Sequence, residues 1–204
     1  MTEFISNLIG NDYLATLIMS ILPLIELKGG IVFAWNLLGF VKAFILAYIG
    51  STIVFFFLFP LLKPIINLLK KWKPFSKLAF KVEGFFEIKA QKALEDNLNK
   101  KDKMSEKALK VLTVFIFVAI PLPMTGVWTG TAIAVFLGLG FKDSILPVCA
   151  GNFIAGSIIS LLSLVCTKIG VSLDLVLWCL LVLAIVLFVV TIIKILRTGK
   201  KEEI

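Results

Sequence analysis

The chain contains no histidine in its 204 residues. That removes the commonest metal ligand and the usual base of a hydrolytic triad. Cysteine is almost as scarce. Cys149, Cys166 and Cys179 stand singly in apolar segments, without the paired spacing of a metal or redox motif, and read as small packing residues. Residues 1–13 carry Glu3 and Asp12 but no Lys or Arg, so they do not read as a cleaved signal, whose start is positively charged. Charged residues make up only 17% of the chain. No cofactor motif and no metal-ligand cluster is present in the sequence.

Apolar residues fill the space left by those absences. They make up 59% of the chain, and mean hydropathy is +1.03. A soluble domain would be nearer about 45–50% apolar. Runs of roughly 20 apolar residues make this an all-α integral membrane protein with membrane lipids as its surroundings. The length allows a single membrane domain over 1–204.

A net charge of +8 raises the question of nucleic acid, and the distribution argues against it. Thirteen of the 21 basic residues lie between Lys63 and Lys110, and four more lie from Lys194 to Lys201. Basic residues beside membrane spans belong on the cytoplasmic side. No nucleic-acid partner is needed to explain them.

Segments 43–62, 145–167 and 173–196 are long enough to span a bilayer of about 30 Å. Two other regions are each broken into halves of about a dozen residues, which reach only about 18 Å as helix. Region 14–41 splits into 14–25 and 29–41 around Glu26–Lys28. Region 111–141 splits into 111–122 and 127–141 around Pro123–Gly126. Each could be one kinked span or a re-entrant hairpin. Single spans would put the basic C-terminal tail, 197–204, outside. Hairpins put that tail and the 63–110 loop in the cytoplasm and the N-terminus outside, so the charges favour hairpins. Within the loop, Phe75, Leu78, Ala79, Val82, Phe85 and Phe86 recur at helical spacing and predict an amphipathic helix on the membrane surface.

Shifting the chain by 101 residues sets Gly29 on Gly130, Leu38–Phe40 on Leu139–Phe141, Gly50 on Gly151 and Ile53 on Ile154. Each half is then a hairpin followed by a long span, and the halves enter from opposite sides. The expected fold is an inverted repeat of re-entrant hairpin plus transmembrane helix, with one additional C-terminal helix. Broken helices meeting near the midplane form binding sites in many transporters.

Candidate site residues sit at the breaks. Glu26 is the sole carboxylate deep in an apolar segment, and burial could let it exchange a proton near neutral pH. It could then bind a proton and a cation alternately. Lys28 could instead pair with it across an unwound tip and lock it as an ion pair, and both readings stand. With Gly29 and Gly30, Lys28 could also hold a phosphate, or it could snorkel to an interface. In the second break, Pro121 and Pro123 remove backbone donors. Thr125 and Thr129 can satisfy freed carbonyls, Gly126 and Gly130 allow close approach, and Trp128 offers an aromatic face to a cation. Asn152 is expected to hydrogen-bond a hairpin tip.

The run Glu26–Ile31, the Pro121–Gly130 block and Gly151–Gly156 resemble the small multidrug export protein family of prokaryotes. The family's pattern has Glu-Leu-Arg-Gly at the first site, so Lys28 departs from it and loses a bidentate fork. Met124 stands where the family usually has glycine. The resemblance implies a small exporter of lipophilic or cationic compounds in the cell membrane. The architecture is also similar to DedA-type proteins, some of which are associated with moving lipid carriers such as undecaprenyl phosphate. That likeness implies an alternative: a flippase or scramblase acting on an anionic lipid. A non-transporting assembly factor is a further alternative. An intramembrane enzyme is disfavoured, because Glu26 has no nucleophile or metal partner in the sequence. Two hairpin tips in so short a chain would be better walled off in a homodimer.

Overall fold

Chain breakers decide where the helices stop. The computed structural model describes residues 2–71, 84 and 105–198, and among these it has eight helices and no strand. Helix α1 (Thr2–Ile9) has no counterpart in the expected elements and ends at Gly10. Asn11 then caps α2 (Asp12–Ile21), its side-chain oxygen accepting from the N–H of Tyr13 at 2.9 Å and of Leu14 at 3.1 Å. A turn over 22–25 leads to α3 (Glu26–Leu38), and Gly39 separates that from α4 (Phe40–Lys71). After the basic segment, Ser105 caps α5 (Glu106–Ala119). A turn over 120–126 precedes α6 (Val127–Phe136). Helices α7 (Phe141–Lys168) and α8 (Leu173–Thr198) complete the chain.

The order short helix, turn, short helix, long helix therefore occurs twice. The second break contains the expected Pro123–Gly126 but starts three residues earlier, at Ile120 before Pro121; the first lies elsewhere. Glu26 to Lys28 form the first turn of α3 rather than an unwound tip, and Gly29 and Gly30 lie inside the helix. Pro23 ends α2 earlier because it lacks an N–H and disfavours helix at the residue before it. A glycine inside a helix costs only about 1 kcal/mol, and packing can offset that.

Among the described residues, two helices are long and apolar enough to cross a membrane, Phe40–Leu62 and Phe141–Lys168. Helix α4 runs beyond the expected end at 62 to Lys71, through Pro60 and Pro64. The third expected span, 173–196, is helical, with an apolar stretch at Trp178–Val190. Most of the 63–110 loop, including the expected amphipathic helix, and the end of the tail lie outside the described residues.

Packing joins the two halves. Helix α2 lies against α4, and α5 lies against α7. The second short helices cross over, α3 onto α7 and α6 onto α4. Close approach depends on small residues. A Cβ on Gly50 would stand 2.9 Å from the Leu17 carbonyl oxygen, and one on Gly151 would stand 2.8 Å from that of Phe115. The two long helices meet through Tyr48, whose O–H donates to the Cys149 carbonyl at 3.2 Å. Asn152 Nδ2 donates to Ser51 Oγ at 2.7 Å and lies 3.3 Å from Thr52 Oγ1. One apolar core gathers Ala15, Leu27, Ile31, Phe33 and Ala47, and the other Phe55, Val118, Val127, Ile133 and Val148.

Candidate functional site where two helix breaks meet

Glu26 and Met124 are the only non-glycine residues with positive φ among those described, at 52° and 66°. Each sits at one of the two breaks. Such conformations cost about 1–3 kcal/mol apiece and persist where the surroundings over-determine them. For Glu26 the surroundings include the opposite turn, where Gly126 lies against its carboxylate.

Glu26 and Lys28 are both 3% exposed. Lys28 Nζ lies 3.4 Å from Glu26 Oε2, a loose ion pair within the first turn of α3. Its closer partner is the Leu122 carbonyl oxygen, at 2.6 Å in the opposite turn, and Thr125 Oγ1 is 3.3 Å away. Pro121 and Pro123 break the helix there, and Leu122 O is among the carbonyls left without a helical partner. The Thr125 hydroxyl also lies 2.7 Å from the carbonyl oxygens of both Ile120 and Leu122. A single ammonium thus binds both breaks together.

The Glu26 carboxylate lies at the N-terminus of α6, against the backbone of Gly126. A helix N-terminus favours an anion. Gly126 is required for this approach, because any Cβ there would strike the carboxylate. Oε1 has no hydrogen-bond partner. Trp128 makes a reciprocal contact, its indole Nε1–H donating to the Ile21 carbonyl at 3.0 Å, at the end of α2. So α3 sends Lys28 to the second turn and α6 sends Trp128 to the first.

Between the turns is a cavity of about 10 Å³, enough for roughly one water. It is lined by Leu24, Ile25, Glu26, Lys28 and Gly29 from the first turn, Pro123 from the second, and Leu180 from α8. Of the residues expected at the site, Glu26, Lys28, Gly29 and Pro123 line this cavity, while Thr125, Gly126 and Trp128 hold its walls. Gly30 and Gly130 serve packing instead, against Ser20 and Val118. Pro121 and Thr129 are half-buried and do not line it. Asn152 corrects an expectation: it bonds Ser51 and Thr52 on α4 rather than a hairpin tip. Its amide reaches the neighbouring long helix first, so the turns close without it.

The profile of a family described as "Putative small multi-drug export protein" matches residues 26–158. The chain belongs to that family. Family membership together with the apolar helices makes it a membrane protein of the export class. No curated protein and no solved structure matches it. The match to the export family starts at Glu26, just after the first turn, and takes in the second, while α1, α2 and α8 lie outside it. Sequence reasoning missed the carbonyls of Ile21 and Leu122, which no side-chain pattern marks, and it missed Leu180. Only the neighbouring prolines hinted at freed carbonyls.

Proposed function

We propose that the protein is a small exporter of lipophilic or cationic compounds in the prokaryotic cell membrane. Hairpin α2–α3 enters from outside, hairpin α5–α6 from the cytoplasm, and the site opens alternately to each side. The observation that carries this reading is Lys28, whose buried ammonium serves Glu26 on one tip and Leu122 and Thr125 on the other. An ion pair shared by two tips is a switch, since whatever takes the carboxylate's charge also loosens Lys28 and the N-terminus of α6. A proton or a cationic substrate would do so, which is the basis for coupling export to proton movement.

Several contacts support an inverted arrangement. Tyr48 meets Cys149 and Ser51 meets Asn152, in each case at the 101-residue offset of the repeat. Near a two-fold axis, equivalent residues touch each other. Helix lengths support hairpins as well. Helix α2 has 10 residues and α6 has 10, reaching about 15 Å, half of a bilayer's hydrocarbon.

The test is export in cells and in proteoliposomes containing the full chain. Wild type should lower accumulation of ethidium and tetraphenylphosphonium, and Glu26→Gln should abolish that effect. Unimpaired export by Glu26→Gln, or no movement of any dye in a broad panel, would sink the reading. A second reading draws on the α6 N-terminus: together with the Lys28 ammonium it is the kind of donor site a phosphate would use, and the Glu26 carboxylate lies against it. That favours a DedA-like flippase for an anionic lipid. Movement of labelled polyprenyl phosphate above that in empty vesicles would support it, and none would exclude it.

A further inference from the structure

We infer that Leu180 sets the specificity of the cavity beside Glu26, and that an amphiphilic organic cation reaches it laterally from the bilayer, between α8 and the hairpin tips. This rests on the export reading above. A cavity of about 10 Å³ must widen, because sites for drug-sized molecules are roughly 300 Å³ or more. Leu24, Ile25 and Gly29 belong to the first turn and its helix, and the polar and proline walls cannot yield without loss. Lys28 is tied to Leu122 and Thr125, Glu26 is tied to Lys28, and Pro123 has a fixed ring. Leu180 is the one lining residue that comes from neither tip, and moving a leucine side chain breaks no hydrogen bond or ion pair.

The packing of α8 points the same way. It rests mainly on α3, through buried Leu173 and half-buried Val176 and Leu180. Val176 and Leu180 are four apart and share a face. Beyond them, Val182, Ile185, Val186 and Val189 are 47–55% exposed. No charged residue occurs between Asp174 and Lys194, so the outer side of α8 suits hydrocarbon. A lipophilic molecule in the bilayer therefore meets Leu180 before it meets a charge. Past Leu180 is Glu26, whose Oε1 has no hydrogen-bond partner. A cationic end with an apolar body satisfies both surfaces.

Tetraphenylphosphonium efflux from proteoliposomes tests this. Leu180→Trp, which fills the cavity wall, should lower efflux by about tenfold or more, while Val182→Trp on the exposed side keeps the wild-type rate. Equal rates for Leu180→Trp and wild type, or an equal loss in Val182→Trp, overturn the inference. A second measurement does not depend on tolerance of tryptophan. In a cysteine-free background, N-ethylmaleimide should label Leu180→Cys more slowly when tetraphenylphosphonium is present, with labelling of Val182→Cys unchanged. No protection at 180, or equal protection at both positions, again overturns it. Failure of the export reading looks different, since then the wild type itself moves no dye.

Discussion

Lys28 and Glu26 are both buried and lie 3.4 Å apart, so removing either should be worse than removing both. Truncating one partner of a buried ion pair costs about 3–5 kcal/mol, whereas an apolar replacement of the whole pair is often neutral. Lys28→Met is expected to lower the thermal midpoint in detergent well below that of wild type. The double variant Glu26→Gln, Lys28→Met should recover a large part of that loss. Simple addition of the two single effects would show that the residues do not act as a pair. Gly126→Ala tests the same contact from the other side. Its Cβ would enter the space of the Glu26 carboxylate, and overpacking of this kind costs about 1–3 kcal/mol. The charges were legible in the sequence because an apolar run makes any charge conspicuous. Their strongest partner, Leu122 O, was not, because every residue carries a carbonyl and only the fold selects one.

Helices pack here through glycine and through one amide. Gly151 lets α7 approach the backbone of α5, and a side chain there would have to displace Phe115 O. Gly151→Val is expected to cost about 1–3 kcal/mol, more than the same change at Gly140, whose φ is −73° and where the nearest atom to a Cβ would be 3.6 Å away. Equal loss at the two positions, measured by thermal unfolding, would argue against close approach as the cause. Asn152→Val removes the inter-helix hydrogen bonds to Ser51 and Thr52, of a kind that inside a membrane averages about 0.6 kcal/mol each. Its effect should therefore be about 1 kcal/mol, no larger than that of Gly151→Val. The second break was legible to within three residues, because Pro121, Pro123 and Gly126 all act there. At the first, Pro23 and the Gly29–Gly30 pair competed as breakers. Proline won, since it forbids a hydrogen bond, whereas glycine only weakens the helix.

For the whole chain, charge and length lead to one arrangement that labelling can test. Helices α2, α3, α5 and α6 have 10, 13, 14 and 10 residues, so none alone reaches across about 30 Å of hydrocarbon. If each pair turned back at its break, the chain would cross only at α4, α7 and α8. The acidic N-terminus would then lie outside, with the basic 63–110 segment and the C-terminus in the cytoplasm, the arrangement that the distribution of lysines favours. If each pair instead ran straight through as one bent span, the 63–110 segment would stay cytoplasmic, but both ends would exchange sides. The N-terminus therefore discriminates. In a cysteine-free variant, a cysteine at position 12 should react with an impermeant maleimide added to intact cells, and one at 200 should react only after the membrane is opened. The reverse pattern would select bent spans and leave Glu26 and Lys28 at the middle of a continuous crossing. A cysteine at 103 serves as the control, protected in intact cells under both arrangements. External labelling there would overturn both, because the largest cluster of positive charge would then be on the wrong side of the membrane.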